Sequence, residues 1–445
     1  MLDKNKYPSK SYLHFDRKVK IEHAESYVTN PLRIANHSFL PLIHFVSAFF
    51  KHSDEKNIHL DNKPIKEKER LIMFAGHWDS FIYKYYSELL NNYYNSFCKV
   101  SNIDNCVTAY RNNKPAKSNI DFAAEVINEI VLHKESYIIV GDFSKYFDQI
   151  DHNILKNNLK KVMGLNYLTK DWYNVFRSIT KYGFYEKDFL SDQLGSDNYF
   201  RSIKKKSYFD KLAHFREFQK KFPPKYNSKK YGIPQGTAIS AVFANIYSMN
   251  FDKELKSIAD IHNGMYRRYS DDFVLVIPKS SSINSEHIIE ITNKIKVEAK
   301  NNKIEINQDK TELYLYQNGV IINLIDSKIS RLDYLGFIFD GKIVRMRGKS
   351  PYKFYRQAKK LIQHAKNRKN ARKLNKLPYR KSIYGLYTDT NTKYGSYGNF
   401  IDYAKRAQTK FDEISPHTDN IILNQIKNKK KKIEKMLEYD THIKP

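Results

Sequence analysis

The sequence predicts a mixed α+β chain of several subdomains, and three observations lead there. The apolar run Tyr137 to Val140 reads as a buried strand that ends in Gly141-Asp142. Two short apolar-aromatic runs, Met265 to Tyr269 and Phe273 to Ile277, flank Ser270-Asp271-Asp272 and read as a β-hairpin whose turn presents two acids. Amphipathic helical segments separate and follow these strands, in a chain of 445 residues long enough for about two to four subdomains.

Charge narrows the partner. Lys and Arg number 77 against 48 Asp and Glu, a formal net charge of +29, which calls for a polyanion: nucleic acid first, an anionic membrane surface second. Cys98 and Cys106 lack metal-binding neighbours at the usual spacing, so neither a disulfide framework nor a zinc ribbon is expected, and a reducing cytoplasm fits. Met1 to Lys10 is polar, and no apolar run reaches bilayer length, so no membrane partner is expected.

Taken in order, residues 1–65 form an N-terminal extension, with the apolar stretch Phe39 to Phe50 packing on the main body. Residues Ile82, Tyr85, Tyr86, Leu89 and Leu90 recur at helical spacing after Phe74-Ala75-Gly76-His77-Trp78-Asp79-Ser80-Phe81, predicting an amphipathic helix with Asp79 or Ser80 in its first turn. His77 and Trp78 read as packing or capping residues. Val107 to Arg111 reads as a short strand whose Arg111, beside a polar loop with Lys114 and Lys117, suits a phosphate contact; an ordinary solvated arginine explains it equally. A helix follows over Phe122 to Val131. Asp142 stands at the C-terminal end of its strand, where open sheets place ligand-binding groups, with helix capping as the plainer alternative. Asp151 to Val162 reads as a further helix.

Residues 184–230 look like an insertion. Between Arg201 and Lys230 lie eleven Lys or Arg, among them Lys204, Lys205 and Lys206, against Asp210 and Glu217. Phe200, Tyr208, Phe209, Phe215, Phe218, Phe222 and Tyr226 are interleaved with them. Cations mixed with rings suit a surface that follows a nucleic-acid backbone and stacks on bases, unless the rings are only the packed side of a solvated helix. The loop Tyr231-Gly232-Ile233-Pro234-Gln235-Gly236-Thr237 then leads into a helix over Ala241 to Leu255, its small residues letting a flat ligand approach the backbone.

An aspartate-bearing strand, a Pro-Gln-Gly loop entering a helix and a Tyr-x-Asp-Asp hairpin, in this order, resemble motifs A, B and C of reverse transcriptases. Asn307 to Glu312, containing Lys310, resembles motif D, and Tyr334-Leu335-Gly336-Phe337 resembles motif E, the primer grip. The segments at Phe74 to Leu90 and Ala109 to Arg111 resemble the finger motifs of group II intron and retron enzymes. The resemblance implies a right-hand polymerase: fingers over 66–135, a palm with an antiparallel sheet over 136–340 interrupted by the insertion 184–230, and a helical thumb and basic C-terminal region over 341–445. It further implies catalytic Asp142, Asp271 and Asp272 holding two Mg²⁺ ions, replaceable by Mn²⁺, with the Phe143 carbonyl as a further metal ligand. Phe147 takes the steric-gate position that excludes a ribose 2′-hydroxyl, Gln235 lies beside the nucleotide sugar, and Arg111 and Lys310 face its triphosphate. Leu335 and Gly336 contact the primer strand.

From Gly341 to Arg380 there are fifteen Lys or Arg and no Asp or Glu, as expected of a thumb gripping a duplex through its phosphates. The C-terminal part adds Tyr384, Tyr387, Tyr394, Tyr397 and Tyr403, any of which is chemically able to prime synthesis through its hydroxyl, although packing or stacking is the plainer role. A Lys-rich helix over Ile426 to Leu437 follows, and no RNase H or Cys/His nuclease pattern is recognised. This layout resembles the bacterial defence-associated reverse transcriptases of the "unknown group", type 9 or type 2. The expected partners are then a non-coding RNA template, an RNA/DNA hybrid, dNTPs and, optionally, a second copy of the chain. A retron or group II intron-type enzyme and a non-catalytic polymerase-fold RNA scaffold are the alternatives.

Overall fold

A computed structural model describes residues 2–52, 65–386 and 399–439. It divides into two compact units of interleaved segments. One comprises Met1–Asn113, Phe143–Glu254 and Ile295–Asn307; the other comprises Lys114–Asp142, Leu255–Lys294 and Gln308–Pro445.

The second unit is organised on a five-stranded sheet in the order Met265–Tyr269, Asp272–Pro278, Glu135–Asp142, Glu312–Gln317 and Val320–Asn323, antiparallel throughout. Glu135–Asp142 is buried along both faces, which is why its middle reads as a continuous apolar run instead of alternating. Helix Asn119–Leu132 closes one face, placing Ile120, Ala123, Val126, Ile127 and Ile130 against Ile138, Val140, Val274 and Val276. Its start is held by a capping box in which Ser118 and Asp121 satisfy each other's backbone N–H groups. A second sheet, Leu332–Tyr334, Phe337–Phe339, Ile343–Met346 and Asp419–Asn420, continues the same core. Helix Lys349–Ala371 packs there through Phe354, Ala358, Ile362 and Ala365, spaced three or four apart, and leaves Lys353, Arg356, Lys359 and Lys360 outward.

In the first unit, Leu42–His52 and Ile65–Phe74 form a long antiparallel hairpin, registered from Ile43 opposite Phe74 to His52 opposite Ile65. Residue 65, expected as the end of the N-terminal extension, is therefore the first residue of a return strand. The apolar stretch Phe39 to Phe50 is largely a strand sharing backbone hydrogen bonds with the next segment. The N-terminal segment also caps a long helix: Asp16 accepts the N–H groups of His77 and Trp78, 3.0 Å each, at the start of His77–Val100. Helix Ala238–Tyr247 lies against this long helix, where Tyr94 donates to the Asn245 carbonyl at 3.2 Å.

One sequence-based expectation is corrected here, and one pair of alternatives is narrowed. Val107 to Arg111 forms no strand, because Tyr110 has φ +59° and the Arg111 guanidinium turns back to donate to the Val107 carbonyl. Most rings of the insertion are packed: Phe200, Tyr208 and Phe215 are buried with Phe15, Ile43, Tyr185 and Leu190, and Phe209 and Phe218 pack against them, whereas Tyr226 is exposed. Among the tyrosines near the C-terminus, Tyr387, Tyr394 and Tyr397 lie outside the described residues. Tyr403 sits on helix Phe400–Ile414, where its hydroxyl accepts from Asn119 at 3.2 Å.

Gly141 is constrained by packing. A Cβ there would stand 2.5 Å from Cζ of Phe273 on the neighbouring strand, so Gly141→Ala is expected to lower unfolding free energy by about 1–3 kcal/mol in denaturant titration. Adding Phe273→Leu should return part of the loss. A Gly141→Ala protein as stable as the parent would show that the ring moves aside freely.

Candidate active site

The central strand and the hairpin converge on three aspartates. The ladder between Glu135–Asp142 and Asp272–Pro278 ends with Asp142 opposite Asp272. Direct cross-strand neighbours lie about 5 Å apart, so two carboxylates are opposed where like charges repel. Asp271 precedes Asp272 at the tight turn between Met265–Tyr269 and Asp272–Pro278, where Ser270 has φ +62°. A left-handed residue lets the turn follow the right-handed strand twist, and so presents Asp271 at the tip.

The turn is supported from beneath by a residue that the sequence pattern does not single out. Arg268 is fully buried and donates to the Ser270 carbonyl at 2.7 Å, bracing the turn that carries the acids. Its signal in the sequence is slight: Arg267 and Arg268 are adjacent in the strand, and alternation puts Arg268 on the same face as the buried Tyr266.

The electrostatics record the crowding. Although Asp272 as a residue reaches solvent, its carboxyl is hemmed in: loss of hydration first, then the charges of Asp271 and Asp142, push its pKa up to about 7. Lys310, on the short Gln308–Lys310 turn, donates to Asp142 Oδ2, and with Arg347 it opposes the upward push on Asp272. Asp142 Oδ1 is buried with no hydrogen-bond partner. Tyr334, whose buried hydroxyl is likewise unpartnered, is held firmly protonated by burial and by the Asp272 charge.

These features fit a divalent cation. An orphaned carboxylate oxygen and three mutually repelling acids gain from a hard positive charge. Among the described residues no three His, Cys, Asp or Glu side chains are grouped so that they alone could hold a metal ion. Magnesium keeps water and substrate phosphates among its ligands and so asks fewer of the protein.

Other expected site residues are placed as follows. Leu335 and Gly336 share the unit of the acids and form the turn between Leu332–Tyr334 and Phe337–Phe339, both with positive φ, and the Leu335 carbonyl accepts from Asn119 at 3.0 Å. The other unit holds Phe143, Phe147, Gln235, Arg111 and Lys204 to Lys206. Phe143 is buried against Tyr146 and Phe251. Phe147 is half-buried on the short helix Tyr146–Gln149, and its carbonyl accepts from Ile233 at 2.9 Å, tying it to the Pro-Gln-Gly loop. That loop is docked on Ile65–Phe74: Met73 N–H donates to the Gln235 carbonyl at 2.7 Å, and a Cβ on Gly236 would stand 2.6 Å from the Met73 oxygen. Arg111 is buried and spends its guanidinium on Asn95, Asp104 and the Val107 carbonyl, with the Tyr94 ring 5.1 Å away. It is a brace of its own loop, not an outstretched phosphate contact, because three acceptors and a ring surround it. Asp151 caps helix His152–Met163 and pairs with Lys303 at 2.7 Å, a structural role.

A family model for reverse transcriptase (RNA-dependent DNA polymerase) matches residues 79–339, more than half of the chain. The chain belongs to the reverse transcriptase family. The matched span contains the three aspartates, the Pro-Gln-Gly loop and the Tyr334–Phe337 turn. Among solved structures, telomerase of Candida albicans in complex with a fragment of telomeric RNA is similar at TM-score 0.43 and 13% identity, covering 94% of this chain and 66% of that one. Truncated apo telomerase of Candida tropicalis is similar at TM-score 0.42 and 12% identity, covering 73% and 59%. The RNA-dependent RNA polymerase of a human picobirnavirus is similar at TM-score 0.35 and 11% identity, covering 68% and 43%. The reverse transcriptase thus spans less than two thirds of these chains; it is the family match that carries the assignment. No curated protein matches.

The crowding at Asp272 has a measurable sign. Its folded-state pKa near 7 lies above the ordinary carboxyl value of about 4, so the folded state binds the extra proton between them and loses stability as pH rises through that window. Asp272→Asn should match the parent near pH 4 and exceed its stability at pH 8 in metal-free buffer, read by thermal melts. A parent whose stability rose from pH 5 to 8 relative to Asp272→Asn would contradict the repulsion.

Proposed function

We propose that this member of the reverse transcriptase family is an RNA-directed DNA polymerase, a nucleotidyltransferase that copies a partner non-coding RNA into cDNA. The observation that carries the reading is the opposition of Asp142 and Asp272 at the end of the central ladder, with Asp271 beside them, inside the matched span. Lys310 and Arg347 offset these like charges only in part, and a bound cation would offset the rest. Asp142 and Asp271 are the expected principal holders of two divalent ions, with Asp272 and the Phe143 carbonyl in support. Such ions supply charge neutralisation for an attacking hydroxyl and a departing pyrophosphate.

The remaining roles fall to the chain itself. Lys310, positioned at Asp142, is the residue to meet the negative charge of a nucleotide triphosphate. Phe147 sets its ring to exclude a ribose 2′-hydroxyl, which makes dNTPs the substrate. Gln235, held by its backbone on Met73, lines the sugar. Leu335 and Gly336 form a rigid left-handed turn suited to gripping a primer. We assign fingers, palm and thumb to 66–135, 136–340 and 341–445. The basic insertion and the basic stretch after Gly341 support a dedicated RNA partner and, by layout, a role in antiphage defence. Cys98 and Cys106, both buried and not joined in a disulfide, suit a reducing compartment such as the cytoplasm.

The decisive experiment is primer extension with Asp271→Ala/Asp272→Ala. Incorporation of dNTPs in Mg²⁺ is expected to fall by on the order of 10²-fold or more, while RNA binding stays within twofold, because the lost groups are not phosphate contacts. Undiminished extension would remove the acids from the active site, and a parent that binds RNA without extending any primer would make the chain a scaffold. Separately, Phe147→Ala should raise ribonucleotide use by up to ~10²-fold relative to dNTPs, measured in competition assays. Continued rejection of ribonucleotides would place the gate elsewhere.

A further inference from the structure

The insertion turns its two chemistries in opposite directions. All eleven Lys and Arg between Arg201 and Lys230 are exposed, and among the described residues only Lys205 and Lys225 pair with a carboxylate, Asp210 at 2.8 Å and Glu186 at 3.5 Å. Its rings do the reverse. Phe200 is 4% exposed, Tyr208 5% and Phe215 2%, while Phe209, Phe218 and Phe222 stack among them. Two rings of the segment remain exposed, Tyr199 beside Gly195 and Tyr226 beside Gly183.

A surface that binds single strands needs free ring faces for successive bases, whereas one that binds a duplex needs only cations held at fixed positions. The aromatic interior supplies that fixity. Helix Leu212–Lys221 anchors Phe215 and Phe218 inward and carries Arg216 and Lys220, one turn apart, outward. The preceding turn is set by Lys204 at φ +58° and projects Lys204, Lys205 and Lys206 together.

We propose that the segment 197–230 is a docking surface for double-helical RNA, reading the phosphate backbone of a folded stem and not the single-stranded template. The proposal rests on the RNA-dependent reading above only for the choice of RNA as the polyanion. It implies that the RNA partner is held by a stem independently of the strand being copied. Recognition through phosphates alone carries no base sequence, so any stem of sufficient length serves.

The test uses the full chain with Lys204→Gln, Lys206→Gln, Arg216→Gln and Lys220→Gln combined, all at exposed positions. Probes are a 20-base-pair RNA hairpin, an oligouridylate of equal charge, and vesicles of phosphatidylglycerol. Hairpin affinity at 0.1 M salt is expected to fall at least tenfold, and the salt slope to drop by about three to four, roughly 0.9 for each phosphate no longer neutralised. Oligouridylate affinity should change less than threefold, and the matching Lys→Arg protein, with Arg216 kept, should bind the hairpin as the parent does. Equal losses for hairpin and oligouridylate would overturn the duplex preference, and unchanged hairpin binding would overturn the site. A loss on vesicles with none on RNA would make it a membrane surface. Asp271→Ala/Asp272→Ala should bind the hairpin as the parent does, so failure of polymerisation and failure of this surface are read separately.

Discussion

The register between Glu135–Asp142 and Asp272–Pro278 is the constraint on which the candidate site depends. Seven consecutive pairs lock it, from Ser136 opposite Pro278 to Asp142 opposite Asp272. Because side chains alternate faces along a strand, a slip of one residue would send the two carboxylates away from each other and break the packing of Ile138, Val140, Val274 and Val276 against helix Asn119–Leu132. The hydrophobic interior therefore enforces an electrostatically unfavourable juxtaposition. Burial of a large apolar surface outweighs repulsion between acids at the sheet's rim, where water still reaches.

Around that rim, the chain uses backbone geometry more than side chains to keep the arrangement rigid. Gly141 yields its Cβ space to Phe273, Ser270 takes a left-handed conformation at the turn, and Leu335 and Gly336 do so at theirs. In the other unit Gly236 lets the Gln235 loop close on Met73. At Gly141 and Gly236 a Cβ would collide with its neighbour, and misplacements of about 1 Å are ones that catalytic geometry tolerates poorly. Arg268 contributes the one buried cation in this scheme, and its partner there is a turn carbonyl.

The two kinds of arginine show how misleading exposure can be when guessed from a sequence. Arg111 sits in a polar neighbourhood and reads as solvent-facing, but Asn95, Asp104 and Val107 enclose it. The acceptors are contributed by the helix His77–Val100 and the loop after it, and nothing in the local pattern announces that the chain returns there. The insertion is the converse case. Its rings and cations alternate too irregularly for either helical or strand period to assign faces, and only packing with Phe15 and Ile43, more than 140 residues earlier, draws the rings inward.

What the sequence by itself determined was the set of local elements with strong period or punctuation: the buried strand ending in Asp142, the hairpin bearing Asp271 and Asp272, the Pro-Gln-Gly loop, and the helical segments read over Phe74 to Leu90 and Phe122 to Val131. These are legible because apolar spacing and turn residues act within a few positions of one another. Only the tertiary structure decided that Asp142 and Asp272 are ladder partners, that Lys310 reaches Asp142, that Asp16 caps a helix about sixty residues away, and that the return strand from residue 65 completes a hairpin with the N-terminal segment. Those pairings are set by long-range burial and backbone hydrogen bonding, whose partners lie far apart in the chain and leave no periodic trace in it.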